Sequence, residues 1–73
     1  MNAIVKQVMS YKRPDLRLAR IIAGITQNDL ESMTGVFQSK ISRFEKNGIQ
    51  CLNDSEKELI EQALDMIDQI DWN

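Results

Sequence analysis

The sequence predicts an all-α fold, a compact bundle of four to five helices forming one domain over residues 1–73. Three observations carry this. Apolar residues recur every three or four positions in successive segments, the period of a helix and not of a strand. The single Pro and the three Gly fall between those segments, where they cannot break a helix. A chain of 73 residues holds one small core, and a multi-step catalytic cleft has no room in it.

Residues 3–11 place Ile4, Val5, Val8 and Met9 at helical spacing, although their β-branched members leave a strand or ordered arm open. Pro14 closes this N-terminal segment (1–13) and suits the first turn of a helix over about 15–23, with Gly24 as its left-handed cap. Leu16, Ala19 and Ala23 give that helix a core face. Leu18, Ile21 and Ile22 make it apolar nearly all round, so its far side calls for cover from the N-terminal segment, the last helix or a second subunit.

Thr26 and Asp29 form a short capping box that opens the next helix, which carries Leu30 and Met33 and stops at Gly35. A third helix spans 37–47. Phe37, Ile41 and Phe44 face inward, Gln38, Ser39, Lys40, Ser42, Arg43 and Lys46 face outward, and Gly48 ends it. Asn53, Asp54 and Ser55 are each able to cap a last helix over about 56–71. Its stripe is Leu59, Ile60, Ala63, Leu64, Ile67 and Ile70, extended by Met66 and Trp72.

Charge is divided along the chain. Residues 1–50 carry a net +4 and residues 51–73 a net −6, within an overall −2. Binding to a polyanion depends on the local face and not on the total, so the first two-thirds can meet phosphate. The acidic remainder is either a second functional face or a solvated surface. With no His and a lone Cys51, neither a zinc site nor an internal disulfide can form, and no cofactor motif or enzyme is expected. No apolar run reaches the roughly 20 residues that span a bilayer, and Lys6 and Gln7 spoil a signal peptide; a cytoplasmic location is expected.

Two short helices joined by a tight Gly-containing turn, the second with a polar outer face, form the helix-turn-helix pattern over 14–48. Such a pair suits DNA because the major groove admits one helix while the preceding one braces it across the backbone. Leu30 and Ile41 would lock the two together.

The strings Gly24-Ile-Thr-Gln-Asn-Asp-Leu30 and Thr34-Gly-Val-Phe-Gln-Ser-Lys-Ile-Ser-Arg-Phe-Glu-Lys-Asn-Gly48 resemble the Cro/C1-type (XRE-like) helix-turn-helix regulators, with the resemblance covering residues 16–64. It implies a lambda-repressor-like domain and a sequence-specific, double-stranded-DNA-binding transcriptional regulator, a repressor of phage or mobile-element type. On this resemblance Gln38, Ser39, Ser42 and Arg43 read bases. Gln27, at a helix N-terminus that favours an anion, holds a phosphate, as do Lys40, Lys46 and Asn47. Arg20 and Glu45 match a structural ion pair joining the first helix to the recognition helix. Each residue also has a plainer reading: Gln38 and Ser39 as solvated surface, Arg43 and Lys46 as partners of nearby acids.

The chain departs from the family pattern at Glu31, where a small residue is usual. The carboxylate must turn outward or find a partner such as Lys40 or Arg43. Phe37 stands where Ser or Thr caps the recognition helix; unable to cap, it packs, meets a thymine methyl or touches another protein. The long stripe of the last helix, through Ile60, Leu64, Ile67, Ile70 and Trp72, is a candidate homodimer or partner surface. Its other role is to close the monomer's own core. A helix-turn-helix adaptor or antirepressor, acting on another regulatory protein, is the alternative function.

Overall fold

A computed structural model describes residues 12–73; the N-terminal helix or arm expected over 3–11 lies outside the described residues. Four helices follow in order among them: α1 (Leu16–Ala23), α2 (Gln27–Thr34), α3 (Gln38–Asn47) and α4 (Asp54–Leu64). No strand occurs among the described residues, and no helix there is long and apolar enough to cross a membrane.

Local chemistry sets most of the boundaries. The Asp15 carboxylate accepts from the Leu18 backbone N–H at 2.9 Å and starts α1. Thr26 and Asp29 cap each other's backbone at the head of α2, and Asn53 and Glu56 do the same for α4. Two reciprocal bonds per box satisfy donors that a helix start leaves unpaired. Gly35 ends α2 at φ 78°, a left-handed conformation that costs a side-chain-bearing residue about 1–2 kcal/mol, and so turns the chain sharply into α3.

Packing follows the apolar spacing. α2 rests on both α3 and α4, and α1 rests on α4. Leu16, Leu30, Ile41 and Ile60, one from each helix, are all essentially without solvent contact and form the centre of the core. Ala23, expected in that core, is exposed: it lies at the last position of α1, where the chain already turns away through Gly24. Leu18, Ile21 and Ile22 remain open on the far side of α1 among the described residues.

The last helix is shorter than its apolar period predicts. It stops at Leu64, and Asp65 adopts the left-handed conformation at φ 56°. The tail then folds back on the bundle. Ile70 drops into the core at 3 % exposure, and the Asp71 N–H donates to the Pro14 carbonyl at 2.8 Å. Trp72 meets Phe44 edge-to-face, centroids 5.6 Å apart, while its indole N–H donates to Glu61 Oε2 at 2.9 Å. Continuing α4 straight would carry Ile70 and Trp72 away from these partners. Burial of Ile70 and the packing of a half-buried Trp72 outweigh the local preference for more helix.

Candidate nucleic-acid interface

α3 divides cleanly into two faces. Ile41 and Phe44 are buried, while Gln38, Ser39, Arg43, Lys46 and Asn47 are exposed and Ser42 is half-buried. Arg43 and Lys46, one turn apart, make no hydrogen bond or ion pair among the described residues, so both cations face solvent uncommitted.

Behind this face runs a connected set of polar groups. Arg20 forks onto Glu45, Nε to Oε2 at 2.8 Å and Nη2 to Oε1 at 2.9 Å, and its Nη1 donates to the Ile25 carbonyl at 2.9 Å. The two side chains are only 12 % and 4 % exposed. The hydrogen bond to Glu45 raises the Arg20 pKa above its ordinary value, against the lowering by burial, and the Glu45 charge adds to the rise. Gln27 Nε2 donates to Glu45 Oε1 at 3.1 Å. A carboxylate only accepts, so the Gln27 amide must turn its nitrogen to Glu45 and its oxygen outward. That oxygen accepts from Gln38 Nε2 at 3.4 Å, a long contact. A fixed charge pair thereby orients, through one amide, the first side chain of α3.

The head of α3 is capped from outside. Phe37 occupies the cap position with no side-chain acceptor to offer, and the residue is 66 % exposed, not packed inward. Glu31 takes over: its Oε1 accepts from the Gln38 backbone N–H at 3.1 Å. The expected partners Lys40 and Arg43 are not involved. Thr34 holds the intervening turn, donating to the Leu30 carbonyl at 2.7 Å and accepting from the Val36 N–H at 3.1 Å.

Other expected site residues lie elsewhere. Lys40 turns towards the start of α4, where Nζ pairs with Glu56 Oε2 at 2.9 Å. The Asn53 backbone N–H and then Lys40 hold the Glu56 pKa below the ordinary glutamate value. The C-terminal stripe is no free surface: Ile60, Leu64 and Ile70 are core residues, Trp72 is packed on that core, and only Ile67 of the five stands exposed. α4 itself packs Ile60 and Leu64 on the bundle, and the tail's return brings in Ile70 and Trp72.

Two residues escaped the reading of the sequence. Arg17, Gln27, Ser42, Glu45 and Lys46 together line an open depression of about 290 Å³ beside α3, so Arg17 adds a cation next to the N-terminus of α2. Its position one residue after Leu16 on the outer face of α1 was the available signal. Glu61 is 9 % exposed and holds the tail through Trp72 and, at 3.4 Å, the Asp68 N–H. Nothing in its sequence neighbourhood marks a buried acid. No three potential metal ligands converge among the described residues. Comparison with protein-family models, with curated proteins and with solved structures gave no match to this chain.

Proposed function

We propose that α2, the Gly35 turn and α3 act as a helix-turn-helix, with α3 in the major groove of double-stranded DNA, and that the protein is a sequence-specific transcriptional regulator, a repressor of phage or mobile-element type. The observation that carries the reading is Gln38, exposed at the head of α3 yet oriented from behind through Gln27 by the nearly buried Arg20–Glu45 pair. A solvated surface glutamine needs no such support. Pre-orientation lets its amide meet adenine with one donor and one acceptor. Arg43 sits one turn on for guanine or phosphate. The depression carrying Arg17 and Lys46 beside the α2 N-terminus suits a backbone phosphate. Asn47 serves the same backbone from the end of α3. The exposed Phe37 ring is available to a thymine methyl.

Selection of bound sites from a random duplex pool, with the winner titrated at two salt concentrations, tests this. An enriched motif with a steep salt slope supports a DNA reader, and a palindrome within it supports two protomers on two half-sites. No enrichment and no binding at low salt moves the function to a protein-contact adaptor or antirepressor. The exposed Phe37, and Leu18, Ile21 and Ile22, uncovered among the described residues, favour that second reading.

A further inference from the structure

Glu31 lies one helical turn after Gln27 on α2, on the same face, and reaches across the turn to the first backbone N–H of α3. Its carboxylate is thereby tied to the end of α3 that carries Gln38 and Ser39. One oxygen serves as the cap that Phe37 cannot supply. The other, Oε2, has no hydrogen-bond partner among the described residues, and the side chain is half-buried, not closed off. Neither ion pair of the described residues involves Glu31, so its charge is met only by the α3 N-terminus.

An unneutralised carboxylate at this place repels phosphate and weakens binding to DNA at large. The repulsion is offset only where the duplex brings a hydrogen-bond donor to the free oxygen. The major groove offers two, the N4 amine of cytosine and the N6 amine of adenine. Adenine sets its N7 acceptor beside that amine, where it opposes the carboxylate's other lone pairs. Cytosine presents the amine alone. We propose that Glu31 is a specificity-determining residue whose free oxygen accepts from the N4 amine of a cytosine next to the base pair read by Gln38. This rests on the placement of α3 in the major groove proposed above.

Parallel selections from one random duplex pool with the wild type, E31Q and Q38A test it. Glutamine keeps an oxygen for the Gln38 N–H but gives up the charge at the α3 N-terminus, so E31Q should keep the wild-type circular dichroism and lose about 1–8 °C of melting temperature. The Q38A selection locates the Gln38 base pair. The wild-type motif should hold a cytosine beside it, and replacing that cytosine by thymine should weaken wild-type binding about five- to tenfold. E31Q, whose amide donates as well as accepts, should lose this preference and keep the rest of the motif. An E31Q motif identical to that of the wild type overturns the proposal, even with tighter binding to every duplex, because Glu31 would then be a cap and a repulsive charge only. A wild-type motif with no cytosine there overturns it equally. A wild type that enriches no site overturns the DNA reading itself and this inference with it, so the two failures are told apart by whether any motif emerges.

Discussion

Arg43 and Lys46 are close neighbours on the exposed face of α3, yet the DNA reading gives them different work. On that reading the exposed Arg43, at the middle of the helix, would meet base edges. R43A should weaken binding to the selected site by about 1–3 kcal/mol and relax the base preference at one position. An unchanged titration would remove Arg43 from the reading surface. Lys46 lies at the end of α3 on the rim of the depression shared with Arg17 and Gln27. K46A should lower affinity for every duplex and flatten the salt slope by about one counterion. A change in base preference alone would show that Lys46 reads sequence.

At the scale of the elements, α3 packs on α2 and is tied to α1 by Arg20–Glu45 and to α4 by Lys40–Glu56. Glu45 accepts from Arg20 and Gln27 at once, so E45A strands a cation and an amide in a nearly closed site. Removing one side of such a pair costs about 3–5 kcal/mol, a large share of what a domain this small possesses. Urea unfolding should show the midpoint of E45A far below that of the wild type, and an unshifted midpoint would mean that the pair orients without stabilising. Glu56 ties α3 to α4 through Lys40 and closes the Asn53 capping box. Its folded pKa is lowered, so its contribution is fully present above the ordinary glutamate pKa and is lost as pH falls through the lowered value. E56Q should therefore be less stable than the wild type at pH 7, with the difference shrinking on acidification. A constant difference down to pH 3 would show that the charge of Glu56 is not what stabilises.

For the molecule as a whole, the decisive feature is the tail that closes the bundle after Asp65. Ile70 fills the core and Trp72 covers Phe44, with Lys57 Nζ 5.8 Å above the indole centroid. I70A should cost about 2–5 kcal/mol, lowering the melting temperature by roughly 10 °C or more, with no change in sedimentation. The opposite result, a smaller assembly of unchanged stability, would return Ile70 to the dimer surface that its helical spacing suggested. The expected pairing of two protomers on DNA now has to come from surface other than Ile60, Leu64 and Ile70. The apolar side chains still open include Leu18, Ile21 and Ile22 on α1 and Ile67 in the tail.

Read alone, the sequence determined what is local. Apolar spacing, caps and glycine stops depend on residues within one or two turns, and α1, α2 and α3 begin and end within a residue of where those signals put them. The Arg20–Glu45 pair was legible too, but only through the resemblance, since nothing in the spacing joins residues 25 positions apart. The tertiary structure decided what depends on neighbours far along the chain. Phe37 stays exposed and cannot cap, and Glu31, from another helix, caps α3 in its place. Lys40 leaves the candidate interface because Glu56 stands within reach. The last helix ends at Leu64 because a buried Ile70 and a half-buried Trp72 outweigh a helical period that, within its own segment, has no reason to stop.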